Sequence, residues 1–227
     1  MIKLQREKIP ATLKRNVKKW TQELLDAIEQ HKPKKAPDRY WNKYRKTEVK
    51  KALQAMSHDK CAYCESKISH LDYGHIEHYR PKSRYPHLTF AWENLLLACA
   101  ICNGAEHKGD RFPLKDGDET QPLLLNPCDD NPADHLELFE ARLVPLTERG
   151  KVTCDLMGLN RDALFDQRRE RYILLLGISL FVKKCEAEGD IESAQRWRKE
   201  LDKAVSASAE YAAMARQLIT VSKNEAL

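Results

Sequence analysis

The stretch NLLLACAICN, from Asn94 to Asn103, runs from a short apolar segment directly into a Cys-x-x-Cys pair. A second pair, Cys61 and Cys64, lies upstream, and 34 residues separate it from Cys99 and Cys102. Two thiolates three positions apart offer two corners of a tetrahedron, and a second pair completes a four-cysteine zinc site. The interval is longer than that of a simple zinc ribbon, so the sequence predicts a folded unit between the pairs. The alternative is four thiols buried separately.

The stretch GHIEHYRPKS, from Gly74 to Ser83, lies between the pairs and places Glu77 next to His78. The side chains of neighbouring strand residues point to opposite faces of a sheet. If Glu77 and His78 belong to one site, the strand must therefore bend or end there, and Pro81 favours an end. A neutral imidazole suits a general base. The oxygen donors of Glu77 and Asn103 suit Mg²⁺ or Mn²⁺, whereas thiolates select zinc. The ligand chemistry therefore predicts two different metals.

The order Glu77-His78, then Asn94, then Cys102-Asn103 with a lysine downstream resembles the ββα-metal fold of the HNH endonucleases. Segments between residues 61 and 140, including CAYCE, IEHYRPKS, AWENLLLACAICN and LLLNPCDDNPADHLELF, are similar to the HNH subunit of Septu anti-phage systems, the PtuB type, which also occurs beside some retrons. The resemblance implies His78 as general base, Asn94 as the residue that braces the loop and orients the base, Glu77 as metal ligand and Asn103 as both catalytic residue and metal ligand.

The last ligand of the catalytic metal is left open between Asn103 and His107. Many HNH sites place a lysine three residues after the asparagine, whereas Lys108 here lies five residues after it. Asn103 is favoured because it follows the cysteine pair directly and because an imidazole is a softer donor for Mg²⁺. Phosphate contact is the simplest use for the basic residues crowded around the site, namely Arg80, Lys82, Lys108 and Arg111.

The expected fold class is α+β, with a small zinc-bound ββα centre inside a mainly helical frame. Four regions are predicted: a basic helical region over 1–59, the HNH centre over 60–115, a hairpin and loop extension over 116–150, and a helical region over 151–227. Hydrophobic periodicity predicts helices over 12–30 and 39–56, the first capped by Thr12. A hairpin is expected to turn near Ala141, and a helix capped by Asn160 to end at Gly189, where Asp190 caps the next helix.

The charge of the N-terminal region suits contact with a polyanion, and for any single lysine there a solvated helix surface is the alternative. Residues 1–60 carry 17 Lys or Arg against 7 Asp or Glu, a difference of +10 in a chain whose net charge is +5. No apolar run is long enough to cross a bilayer and no secretory signal is visible, so a cytoplasmic location without a membrane partner is expected.

The predicted function is a metal-dependent endonuclease that hydrolyses phosphodiester bonds of DNA or tRNA. The resemblance implies an effector of anti-phage defence that acts with an ATPase subunit of the PtuA type and, beside retrons, with a reverse transcriptase and its ncDNA. The alternative is a zinc-stabilised adaptor that binds nucleic acid or protein without catalysis. The adaptor accounts for the cysteines and the basic region but not for the order of Glu77, His78, Asn94 and Asn103.

Overall fold

The structure, a computed structural model, describes residues 1–68 and 73–224. The described chain contains eight α-helices and two short antiparallel sheets, with 3₁₀ turns between them. The helices are α1 Ala11–His31, α2 Asp38–Trp41, α3 Thr47–Ser57, α4 Ala100–Asn103, α5 Glu148–Leu156, α6 Asp162–Glu188, α7 Ile191–Val205 and α8 Ala212–Asn224. The strands are β1 His75–His78, β2 Leu95–Ala98, β3 Leu136–Phe139 and β4 Arg142–Pro145. This mixture confirms the α+β class.

Strands β1 and β2 form a hairpin between the two cysteine pairs. They pair antiparallel, with His75 opposite Ala98 and His78 opposite Leu95, and every residue of β2 is buried. The first cysteine pair is tied to this sheet because the amide of Ala62 donates to the carbonyl of Leu97 at 2.9 Å. A two-stranded sheet is marginally stable by itself, so its burial depends on the elements around it.

The N-terminal helices supply part of that cover. Trp20 on α1 packs edge-to-face on Phe90, with ring centroids 5.7 Å apart. Trp41 and Tyr44, at and just after the end of α2, are buried in the same apolar cluster. The N-terminal region is therefore packed onto the centre as part of its core.

The predicted hairpin and the helix boundary at Gly189 are confirmed. Strands β3 and β4 pair around a turn at residues 140 and 141. Gly189 ends α6 with φ of 76°, a left-handed conformation that glycine adopts without strain. The side chain of Asp190 accepts a hydrogen bond from the amide of Ser193 and so caps α7.

Other helix boundaries predicted from the sequence are wrong. Pro10, not Thr12, precedes the first turn of α1, and the side chain of Thr12 is hydrogen-bonded to Glu48 instead. The predicted helix over 39–56 is divided into α2 and α3 by a turn at residues 42–46. Asn160 does not cap α6, because its side-chain amide both donates to and accepts from the backbone of Leu143 on β4 at 2.8 and 2.9 Å.

The C-terminal region contains further departures. Helix α5 begins at Glu148, three residues before the predicted helical region, and residues 206–211 separate α7 from α8 within that region. No described helix has both the length and the apolar content that crossing a membrane requires.

Candidate active site

Four cysteine sulfurs converge at the base of the β1–β2 hairpin. The Sγ atoms of Cys61, Cys64, Cys99 and Cys102 all lie within 4.8 Å of one another. Cys99 also begins α4, where its Sγ accepts a hydrogen bond from the amide of Cys102 at 3.4 Å. Burial raises the pKa of the Cys61 thiol, so holding this thiolate inside the protein requires a nearby cation. The tetrad therefore has the ligand set and spacing that suit zinc.

Arg161 lies beside this tetrad and was not identified from the sequence. Its Nη1 is 3.8 Å from the Sγ of Cys102 and donates to the carbonyl of Gly158 at 3.1 Å. A guanidinium in this position partly offsets the negative charge of the thiolates. Because Arg161 immediately precedes α6, it also links the C-terminal helices to the cysteine site. No local sequence signal distinguishes it from the other arginines.

His78 is buried at the end of β1 as a neutral imidazole. Its Nε2 lies 3.0 Å from the carbonyl oxygen of Thr89, and a carbonyl can only accept, so Nε2 carries the proton and Nδ1 carries the free electron pair. The Tyr44 ring packs edge-to-face on the imidazole with centroids 4.7 Å apart. Burial lowers the pKa of His78 to about 3. A fixed tautomer that stays neutral can accept a proton through Nδ1.

Asn94 braces the loop that follows β1. Its Oδ1 accepts from the amide of Arg80 at 2.7 Å, while its Nδ2 donates to the carbonyls of Arg80 at 3.0 Å and Leu88 at 3.2 Å. These bonds join the two ends of the loop between His78 and Thr89. Asn94 therefore lies where it can position the base, as the resemblance implied, but on a smaller cavity beside the one that His78 lines.

Glu77 is buried beside Lys108. The Oε1 of Glu77 lies 2.8 Å from the Nζ of Lys108, with the two side chains 3% and 1% exposed. Nζ also donates to the carbonyl of His78 at 2.8 Å. Burial raises the pKa of Glu77 against the opposing effect of Lys108. Lys108 is thus a buried counter-ion, and the structure does not place it on the surface as the predicted phosphate contact.

Asn103 and His107 lie in different surroundings. Asn103 lines the same cavity as Glu77 and His78, with its amide nitrogen 3.2 Å from the Nδ1 of His75. It is the last residue of α4. His107 is half-buried against Gly158 and does not line this cavity. The placement favours Asn103 as the ligand, although the assignment stays a prediction.

Of the four predicted phosphate contacts, Lys82 alone lines the cavity. Its Nζ lies 3.3 Å from the hydroxyl of Tyr44 and 5.1 Å from the centroid of that ring. Arg80 turns away and pairs with Glu119, its Nη1 3.0 Å from the carboxylate. Arg111 donates to the carbonyl of Ala105 at 3.3 Å. Arg80 and Arg111 therefore do not face the cavity, because backbone and carboxylate acceptors on neighbouring loops hold their guanidinium groups.

The cavity has a volume of about 1010 Å³ and lies between the β1–β2 centre and α3. Glu77, His78 and Asn103 line one side, and a basic segment of the N-terminal region lines the other. That segment comprises Arg45, Lys46, Lys50 and Lys51. The sequence indicated the positive charge of the whole region but not these residues.

Comparison with known proteins places this site in a family. Residues 61–109 match the family model for HNH endonucleases. We call this matched segment the HNH domain. The matched segment contains both cysteine pairs, and the hairpin and short helix of the structure lie within it.

The HNH domain and its surroundings are similar to Septu proteins. The chain is 34% identical over 151 residues to Septu protein PtuB of Bacillus mycoides (strain KBAB4), covering 55% of this chain and 51% of that protein. It is 34% identical over 162 residues to Septu protein PtuB of Bacillus thuringiensis, covering 71% of this chain and 55% of that protein. The chain thus spans about half the length of these relatives, and the expected resemblance to the PtuB type is confirmed.

A Septu protein PtuA is also similar to this chain. The Bacillus mycoides (strain KBAB4) protein of that name is 29% identical over 150 residues, which are 55% of this chain and 21% of that protein. The similarity therefore concerns a minor part of the longer relative.

The donors in the HNH domain fit a divalent cation. Glu77 Oε1 is buried and, among the described residues, receives no well-directed hydrogen bond, although Lys108 lies close to it. Lys108 is one cationic partner of this carboxylate, whose two oxygens have further lone pairs with which they could bind a metal ion. Asn103 adds an amide oxygen on the same cavity. Hard oxygen donors of this kind suit Mg²⁺ or Mn²⁺.

Proposed function

We propose that this chain is a metal-dependent HNH endonuclease that hydrolyses phosphodiester bonds of DNA or tRNA in the cytoplasm. The observation that carries the proposal is the state of His78. Its Nε2–H is held by the carbonyl of Thr89, which leaves Nδ1 as an acceptor, and His78 lines the same cavity as Glu77, Asn103 and several cations. A non-catalytic adaptor has no need of a buried imidazole fixed in one tautomer.

In this proposal each residue has one task. Nδ1 of His78 takes a proton from the attacking water, and the low pKa of about 3 keeps the imidazole neutral before the reaction. Asn94 positions the loop that carries the base. Glu77 and Asn103 would hold the cation, which stabilises the negative charge that develops on the phosphate and on the leaving oxygen. Lys82 contacts the substrate phosphate.

The four cysteines would hold a structural zinc ion. The tetrad is mostly buried, and closed four-coordinate sites stabilise small domains without taking part in chemistry. In this chain the zinc would fix the start of α4, and with it Asn103, relative to β1. Mg²⁺ or Mn²⁺ at Glu77 would be the catalytic ion.

We further propose that the protein is an effector of an anti-phage defence system and acts with an ATPase of the PtuA type. Similarity to two Septu PtuB proteins supports this proposal. Similarity to part of a Septu protein PtuA supports the choice of a PtuA-type protein as the partner. A retron reverse transcriptase with its ncDNA is a further proposed partner, which co-purification would test separately.

Cleavage of labelled plasmid DNA and of total tRNA tests the nuclease, with Mg²⁺ or Mn²⁺ and with or without the ATPase and ATP. Wild type is compared with His78→Ala and with His78→Gln, which leaves a smaller cavity under Tyr44. His87→Ala is the matched control, because His87 is exposed and does not line the cavity. Loss of metal-dependent cutting in both His78 variants, with zinc content and circular dichroism unchanged, is expected. Absence of cutting by folded, zinc-loaded wild type under every condition would favour the adaptor.

A further inference from the structure

Three cations of the N-terminal region line the HNH cavity without an ion-pair partner. Arg45 and Lys46 lie in the turn between α2 and α3, and Lys51 lies on α3. All three are exposed and line the same cavity as His78. Within the described residues none of them forms a salt bridge, whereas Lys43 nearby is paired with Glu23. We call these three residues the cationic wall.

The acidic residue closest in sequence does not neutralise the cationic wall. Glu48 lies between Lys46 and Lys51, but its carboxylate accepts hydrogen bonds from the first turn of α1, including the amide of Ala11 at 2.8 Å. Its pKa is lowered, chiefly by the hydrogen bond from Thr12, so it stays ionised and bound there. Five basic side chains and two carboxylates, Glu77 and Asp110, line the cavity.

Lys50 differs from the cationic wall because its ammonium is already used. Its Nζ donates to the carbonyl of Gly74, directly before β1. The contact joins α3 to the strand that carries Glu77 and His78. Arg45 stacks near the ring of Tyr44, with its guanidinium carbon 6.0 Å from the centroid. That contact leaves the charge of Arg45 without a counter-ion.

The cationic wall is fixed relative to the base. Tyr44, the residue before Arg45, is buried and packs on the His78 ring at 4.7 Å. The backbone of the turn at Arg45 is therefore anchored next to the His78 ring. Positioning of this kind is what a nuclease requires of the groups that hold phosphates beside the scissile bond.

We propose that Arg45, Lys46 and Lys51 bind backbone phosphates of the nucleic acid on either side of the bond that is cut. The proposal rests on the nuclease function above and adds the surface that holds the substrate. The recognised chemistry is the phosphodiester backbone, which DNA and RNA share. Binding is therefore independent of base sequence and sensitive to salt.

Equilibrium binding in a non-cleaving background tests the cationic wall. The chain carrying His78→Gln is titrated, without divalent cation, against a fluorescein-labelled duplex DNA and against labelled tRNA between 50 and 300 mM salt. The test variant adds Arg45→Ala, Lys46→Ala and Lys51→Ala. The matched control adds Lys183→Ala, Arg196→Ala and Lys199→Ala. These residues, one arginine and two lysines, are exposed on α6 and α7, form no ion pair within the described chain and do not line the cavity.

The expected result is a weaker salt dependence in the test variant alone. Each lost phosphate contact lowers the slope of log K against log salt by about 0.9 on duplex DNA, so three contacts lower it by about 2.7, and by about 2 on single-stranded segments. A reduced slope on either polymer supports the cationic wall and shows which one it holds. An unchanged slope on both, or an equal fall in the control, would overturn it.

A charge-preserving triple variant, Arg45→Lys, Lys46→Arg and Lys51→Arg, should keep the wild-type slope and so excludes an effect of misfolding. Because binding is measured without cleavage, failure of the cationic wall leaves the cutting assay unaffected. Failure of the proposed nuclease would appear in the cutting assay while the salt slopes remain interpretable.

Discussion

Replacement of Lys108 by methionine is expected to destabilise the protein by about 3–5 kcal/mol at pH 7. The Nζ of Lys108 is 2.8 Å from the buried carboxylate of Glu77 and 2.8 Å from the carbonyl of His78. Methionine keeps most of the volume but removes the charge and the donor. Glu77 is then left ionised inside the protein without a counter-ion, which is the costly outcome of breaking a buried pair.

The pH dependence of this loss follows from the one escape available to Glu77, which is to take up a proton. An ordinary glutamate has a pKa near ~4.3, so protonation costs about 3.7 kcal/mol at pH 7 and about 1 kcal/mol at pH 5. In the variant, the pKa of folded Glu77 rises further above its unfolded value. The folded state therefore gains a proton as the pH falls, and the loss should shrink by about 2–3 kcal/mol between pH 7 and pH 5.

Urea unfolding in the presence of excess zinc and without Mg²⁺ measures the effect, each variant being compared with wild type at the same pH. The double variant Glu77→Gln with Lys108→Met removes both charges and should be more stable at pH 7 than Lys108→Met alone. A loss below about 1 kcal/mol, together with weaker nucleic-acid binding, would contradict the buried pair. Lys108 would then be the phosphate contact that the sequence suggested.

Three further outcomes are expected from urea unfolding and cleavage assays. Asn94→Ala should lower the free energy of unfolding by about 2–3 kcal/mol, because it removes three hydrogen bonds to backbone groups, two of them on Arg80. The zinc content of this variant should stay unchanged. Gly158→Ala should lower the free energy of unfolding by about 2 kcal/mol, because φ is +54° and an added Cβ would overlap the His107 ring. Adding His107→Ala should recover part of that stability. His107→Ala alone should keep metal-dependent cutting, and loss of cutting in this variant would contradict the assignment of Asn103 as the ligand. Because the pKa of His78 is lowered to about 3 by burial, the unfolded chain binds more protons below pH 6.5, so stability should fall by about 2 kcal/mol from pH 7 to pH 5, and His78→Gln should remove this slope.

The cluster of four cysteines and the order of the candidate site residues could be predicted from the sequence because both depend on local patterns. A Cys-x-x-Cys pair presents two ligands whatever surrounds it. The apolar segment after Asn94 indicates a buried strand, and it does form β2. The proline after Glu77 and His78 indicates where β1 ends, and the strand ends at His78.

The partners of the basic side chains could not be predicted in this way. Arg80 is held by Glu119, 39 residues away, and Lys108 is held by Glu77, 31 residues away. Every basic residue near the site has the same charge in the sequence, and tertiary packing alone decides which of them is buried. Asn160 illustrates the same limit, because an asparagine before a helix suits a cap, yet this one binds the edge of β4.

The dependence of the HNH domain on the N-terminal helices follows from its size. Four residues in each strand of one hairpin and a four-residue helix cannot bury a charged pair and an imidazole by themselves. Tyr44 packs on the His78 ring, and Trp20 packs on Phe90. Phe90 directly follows Thr89, whose carbonyl accepts the hydrogen bond from Nε2 of His78. The turn that supplies Tyr44 continues into Arg45 and Lys46. Packing that buries His78 and keeps it neutral therefore also brings the unpaired cations to the cavity. If His78 is the proposed base, a change that loosens α2 from the HNH domain should weaken substrate binding and proton transfer together.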